Sequence, residues 1–456
     1  MDSEPVESQV TAPHQQLARR LGLFDATMLV MGGIIGSGIF MNPHVVAESV
    51  HSPMLIFGAW MLGGIAALIG AFIYAELSAL LPAVGGQYAY LREAYHPSVS
   101  FVYGWVLLLV TQTGGMAAVA ITFARYFLEL THFPLSDWVV AVSALSILTF
   151  INCLGVRSGS TVQNIFMVLK IAAIGLLIFV GFTVTDSSHI SLLPIADRPV
   201  SVDLLTAFGA AMVPVLFAYG GWQTSNFVAG EIREPEKNLP RGLILGVTGV
   251  IALYLLVNLV CVGVLGTSGL AGTKTPATQI MRIAFGEKGA ILIAIGITIS
   301  TLGFLSQGIL TAPRVYFAMA EDKLFFKSVA WVHPKTRVPV VAIVIQGIFA
   351  IIIAISGKYE QILNYVVSVD FISFGLTATT IFVFRKRLKD SVSKLHFKTP
   401  GHPYTTLIFI AICWLVVINT IVQVPGDTLI GVGIMLVGIP VYYFWQKKKM
   451  REETAR

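Results

Sequence analysis

The sequence predicts an all-α integral membrane protein of about twelve membrane-crossing helices, at roughly 20 apolar residues per crossing. Three observations carry that reading. The 456 residues are 55% hydrophobic and only 12% charged, and the mean hydropathy is +0.79; helices apolar on every side need lipid as their solvent. The apolar residues fall into separate runs, near 22–48, 53–81, 97–129, 138–155, 160–185, 203–230, 239–265, 288–319, 338–356, 361–385, 405–423 and 427–446. No connection between them is long enough for a soluble domain.

The first span is unusual. In Met31–Phe40, five of the first eight residues are glycine or serine: Gly32, Gly33, Gly36, Ser37 and Gly38. Glycine costs a helix interior about 1 kcal/mol relative to alanine, so such a cluster at mid-depth either admits a close neighbour or breaks the helix. Broken backbone at that depth is tolerated only where protein or a polar cavity satisfies it. The sixth span repeats the feature at Phe217–Trp222, FAYGGW. Paired interruptions at corresponding places in two halves point to a transporter's binding site. The organisation expected is therefore a tail (1–20), five spans (21–185), five spans of inverted topology (203–385), two peripheral spans (405–446) and a second tail (447–456).

The second span ends at Pro82, Gly85 and Gly86 and carries Glu76, either a satisfied carboxylate or a gate. The fifth holds Lys170, about ten residues in and hence near mid-membrane at 1.5 Å per residue. An ammonium there needs a partner; it either locks helices together or takes part in coupling. The eighth has a small polar stripe, Ser300, Thr301, Gly303, Ser306 and Gly308, of the kind that admits close helix approach. Asp370, in the tenth, is either a gate or a structural partner. His44 beside the first break reads as a polar packing residue.

The net charge of +6 reflects loop asymmetry rather than nucleic-acid binding. Arg385, Lys386, Arg387, Lys389, Lys394 and Lys398, then Lys447, Lys448, Lys449 and Arg451, and Lys323, Lys327, Lys335 and Arg337 fall on one side. Arg198, Lys274, Arg282, Lys288 and Lys358 fall on the other. By the positive-inside rule both termini are cytoplasmic. Cys153, Cys261 and Cys413 lie inside spans, so no disulfide framework is implied. The polar first twenty residues lack the apolar core of a signal peptide. No HExxH, Gly-x-Ser-x-Gly or paired His/Asp constellation suggests an enzyme, and nothing calls for a metal or cofactor.

GGIIGSGIF (32–40), PAVGGQYAYLREAY (82–95), Lys170, FAYGGW with GEIREPEKNLPRG (230–242), APRVYFAMAEDK (312–323) and PKTRVP (334–339) occur in that order. On these motifs the chain resembles the amino acid–polyamine–organocation (APC) superfamily over nearly its whole length. Within it, the L-type amino acid transporters and their bacterial relatives are most similar. The resemblance implies a five-plus-five inverted repeat with alternating access. It places the substrate's α-carboxylate on the amides of Gly36, Ser37 and Gly38. The α-amino group falls to carbonyls near Gly33 and Ile34 and at Phe217, Ala218 and Gly220.

Phe217 matches the aromatic that closes over substrate, and Trp222 matches a motif position that packing also explains. Lys170 matches a lysine standing in for the sodium of sodium-coupled relatives, reaching toward Ser300 and Thr301. Tyr254 matches a tyrosine linking the substrate region to the helices. No carboxylate or arginine lies within either break, which disfavours basic and acidic substrates. The loop after the third span lacks the cysteine through which animal relatives bond a glycoprotein subunit. The expected function is sodium-independent exchange of neutral L-amino acids across a bacterial inner membrane. The alternatives are proton-coupled symport through Lys170, extending to cationic amino acids or polyamines, and a membrane sensor.

Overall fold

Each apolar run becomes helix in the computed structural model, which describes residues 21–186, 189–190, 201–356, 359–393, 395 and 397–454. The expected N-terminal tail and the loop cations Arg198, Lys358 and Lys394 lie outside these residues. In order, the helices are α1 (Leu23–Ile34), α2 (Gly38–Val50), α3 (Pro53–Leu80), α4 (Gln87–Ala94), α5 (Pro97–Val106), α6 (Gln112–Thr131), α7 (Asp137–Cys153), α8 (Val156–Thr183) and α9 (Val202–Tyr219). There follow α10 (Pro235–Ala271), α11 (Pro276–Thr311), α12 (Pro313–Glu321), α13 (Val340–Ser356), α14 (Tyr359–Arg387), α15 (Lys389–Ser393), α16 (Tyr404–Gln423) and α17 (Pro425–Thr454).

Among the described residues nine helical segments are long and apolar enough to cross a membrane, and α1 with α2, bent by 40°, make a tenth. The remaining two of the expected twelve spans are α7 and α13, each apolar but 17 residues long, below the usual 20 or so. Large apolar side chains point outward, among them Phe150, Phe179, Leu415 and Phe444, as a lipid-facing surface requires. Of the ten long segments and pairs, α16 and α17 carry among the least buried apolar windows, in keeping with their expected peripheral place.

Four pairings form the frame: α3 on α10, α6 on α11, α7 on α13, and α2 on α9. The helices depart from sequence expectation in three places. A π turn, Leu107–Thr111, interrupts the third span between α5 and α6, and the Leu108 carbonyl accepts from the Thr113 hydroxyl at 2.7 Å. The stretch expected as loop between the seventh and eighth spans is mostly helical, with turns at Gly266 and Gly286 (φ 65° each). The expected C-terminal tail continues α17 to Thr454, since nothing after residue 446 breaks a helix and its lysines suit a helix C-terminus.

Glu76 is a satisfied carboxylate. It is fully buried, accepts from Arg385 Nε and Nη2 at 2.8 Å each, and from the Thr399 amide at 2.6 Å. The three contacts tie α3 to α14 and to the segment before α16. Arg385→Ala leaves this carboxylate buried without its cation, a loss of about 3 kcal/mol or more. The purified variant should therefore unfold several degrees lower, whereas an unchanged melting temperature would deny the pair a structural role.

Candidate functional site

The two interruptions meet. α1 ends at Ile34, the backbone turns extended at Ile35 (φ −74°, ψ 93°), and α2 restarts at Gly38. α9 ends at Tyr219; Gly220 is extended (φ −64°, ψ 159°), Gly221 turns left-handed (φ 103°), and a 3₁₀ segment runs from Trp222 to Glu231. Two contacts demand glycine. A Cβ on Gly38 would lie 2.8 Å from Ala218 Cα and Cβ, and a Cβ on Gly221 would strike the Gly33 carbonyl. The breaks are thus seated against one another, at distances side chains would forbid.

By position, the amides at the start of α2 and the carbonyls at the ends of α1 and α9 lack helical partners. Three side chains take up part of this surplus. Tyr254 Oη, buried on α10, lies 3.1 Å from both the Ile34 and the Ala218 carbonyls, its one proton shared between the two breaks. Lys170 Nζ, also fully buried, donates to the Ile35 carbonyl. Thr224 Oγ1 donates to the Gly221 carbonyl at 2.7 Å and accepts from Gln307 Nε2 at 2.7 Å.

Between the breaks lies a cavity of about 70 Å³. It is lined by Gly33, Ile34, Gly36, Ser37, Gly38, Phe217, Ala218 and Gly220, eight of the nine residues expected to touch substrate. The start of α2, its positive end, and the ends of α1 and α9, their negative ends, all border it. That polarity suits a molecule carrying a carboxylate and an ammonium on neighbouring atoms.

Trp222, the ninth, stands behind the cavity, packed edge-on to Tyr74 (centroids 4.7 Å apart) and against Phe374 (5.4 Å). Its role there is packing. The Lys170 contact also differs in detail from expectation. Thr301 donates to carbonyls of its own helix, at 3.1 and 2.8 Å, and Ser300 Oγ has no hydrogen-bond partner among the described residues. The lysine bonds to the Ile35 carbonyl just past α1, and a Cβ on Gly303 of α11 would lie 3.0 Å from Phe166 Cβ on the lysine's own helix.

Of the remaining wall, the sequence singled out Asp370 alone. Thr111, Gln112, Gln223, Thr224, Phe304 and Gln307 line the cavity, and so does Asp370 from α14. Gln223 and Thr224 directly follow FAYGGW and were within reach of the motif. Thr111 and Gln112 are placed by a π turn that no sequence periodicity announces. His44 packs as expected, Nδ1 2.9 Å from the Ala271 carbonyl.

The ends of the molecule differ. At one, the Leu21 amide donates to the Glu231 carbonyl at 3.0 Å and the Arg233 amide to the Leu21 carbonyl at 2.8 Å; below them a buried Arg314–Glu231 pair closes at 2.8 Å. At the other, a cavity of about 630 Å³ separates the outer parts of α2, α9, α14 and α16.

Comparison with known proteins follows the same lines. Residues 21–444 match the amino acid permease family. The chain belongs to that family. This permease is 33% identical to the serine/threonine exchanger SteT of Bacillus subtilis over 95% of its own length and 98% of that protein's. It is 29% identical to the human large neutral amino acids transporter small subunit 2, over 95% of the permease and 82% of the relative. It is 27% identical to the mouse Asc-type amino acid transporter 1, with the same coverage. The permease is thus an amino-acid transporter of the membrane and not an enzyme.

Tyr254 supplies the site's most direct internal test. Tyr254→Phe leaves two buried carbonyls short of their donor, worth about 1–2 kcal/mol. Apparent substrate affinity, read from the half-saturation of uptake, should fall about tenfold with the fold intact. Unaltered affinity would show that the hydroxyl does not hold the breaks.

Proposed function

We propose that this permease exchanges neutral L-amino acids across a bacterial inner membrane, without sodium, by alternating access. The observation that carries the reading is the facing pair of helix breaks. α2 offers amides to the carboxylate, α1 and α9 offer carbonyls to the ammonium, and the cavity between them suits a small side chain. Ile34 and Ala218, already accepting from Tyr254, each keep one carbonyl lone pair, so the ammonium bonds there without displacing the tyrosine.

Lys170 supports sodium independence. Its charge sits on the Ile35 carbonyl, among the backbone oxygens a cation would use, and a second cation there is repelled. The resemblance to a serine/threonine exchanger and to a large neutral amino acids transporter favours exchange of neutral cargo. Residues 21–185 and 203–385 then form the inverted repeats. In support, the spans that such symmetry exchanges are neighbours: the second on the seventh, the third on the eighth, the fourth on the ninth. Both termini lie in the cytoplasm, the Leu21 and Arg314–Glu231 contacts form the closed inner gate, and the 630 Å³ cavity is the outer vestibule.

The permease works without a disulfide-linked subunit. No cysteine stands among residues 132–136 between α6 and α7, and Cys153, Cys261 and Cys413 are unpaired and lie within helices.

Counterflow in proteoliposomes tests the reading. Labelled neutral amino acid should enter vesicles preloaded with unlabelled amino acid, hardly enter empty ones, and do so equally in sodium or choline. Lys170→Ala should slow that exchange tenfold or more. Uptake that collapses in choline, or that a pH gradient drives into empty vesicles, would overturn it.

A further inference from the structure

Resting on that reading of the site, we infer that Asp370 selects cargo whose side chain carries a short hydrogen-bond donor, a hydroxyl or an amino group one carbon from Cα. Of the residues lining the cavity between the breaks, Asp370 is the one whose side chain bears a formal charge. It lines the cavity from α14, apart from the α2 amides and the Ile34 and Ala218 carbonyls that suit the backbone groups of the cargo.

Its surroundings leave that carboxylate a job. Thr111, on the π turn opposite, is its hydrogen-bonding neighbour. Among the described residues no lysine, arginine or histidine lines the cavity, and Lys170 is committed to the Ile35 carbonyl. A carboxylate oxygen at that depth is costly unless donors meet it, and a donor carried on the substrate adds to what Thr111 supplies. A cavity of about 70 Å³ limits it to a short side chain, and Val366, Val367 and Phe371 beside Asp370 keep water from substituting.

The reading reverses part of what the sequence implied. Neither break holds a carboxylate, but the fold brings one to the cavity from about 150 residues beyond the second break.

The test uses three amino acids of nearly one size: serine, 2,3-diaminopropionate and 2-aminobutyrate, whose methyl replaces the donor. In counterflow the intact permease should prefer serine or 2,3-diaminopropionate to 2-aminobutyrate roughly tenfold or more, as expected for a hydrogen bond to a charged group. Asp370→Ala should erase that preference, lowering serine and 2,3-diaminopropionate exchange relative to that of 2-aminobutyrate. Asp370→Asn separates the two donors: its amide oxygen still accepts from serine, but it loses the charge that holds an ammonium. The wild-type comparison stands even if Asp370→Ala fails to fold. Overturning results are a wild-type permease that does not distinguish the three, or an Asp370→Ala variant that folds and lowers all three alike, which would put the carboxylate on the backbone ammonium or in the scaffold. No counterflow of any neutral amino acid by the wild type would instead overturn the exchange reading itself.

Discussion

The rest of the molecule depends on the contact between two unwound backbones, Gly33 against Gly221 and Gly38 against Ala218. An interrupted helix in a bilayer exposes amides and carbonyls that lipid cannot satisfy. Placing the interruptions together turns two costs into one site. Part of the polar surplus is taken by Tyr254, Lys170 and Thr224, and what is left over faces a cavity of about 70 Å³. Substrate recognition is in this sense the unfinished part of the protein's own hydrogen bonding. The glycines matter chiefly because a Cβ at Gly38 or Gly221 would hold the breaks apart.

The scaffold makes that contact durable. α10 carries Tyr254 to both breaks and packs along α1 and α3. α8 brings Lys170 to the Ile35 carbonyl at the end of α1, and α11 carries Gln307 to the second break. At one end the Leu21 backbone pairing joins the chain before α1 to the segment after the second break, and the buried Arg314–Glu231 ion pair ties that segment to α12. At the other, a cavity of about 630 Å³ lies between α2, α9, α14 and α16.

Much of this was legible in the chain. Apolar run length gave the helices, glycine clustering gave both breaks, and the family resemblance gave eight of the cavity residues. Lys170 announced itself as an ammonium at mid-membrane, and Glu76 as a carboxylate in need of the partner that Arg385 proved to be. What could not be read was anything that depends on how distant helices are rotated. Trp222 adjoins a break in sequence yet turns away to Tyr74 and Phe374. Ser300 and Thr301 lie near Lys170 but do not bond to it. Thr111 and Gln112 reach the cavity through a π turn, and Asp370 through the docking of α14; neither leaves a local pattern. The stretch between the seventh and eighth spans extends both helices, α10 to Ala271 and α11 from Pro276, across the turns at Gly266 and Gly286.

The claim that bare main-chain groups at two breaks hold a zwitterion is tested most directly by altering the ligand's ends rather than the protein. Binding of serine to the purified permease, followed by thermal shift, should be lost when its carboxylate is converted to the amide and lost again when its amino group is acetylated. A permease that is stabilised equally by the free amino acid and by either blocked form would contradict the account.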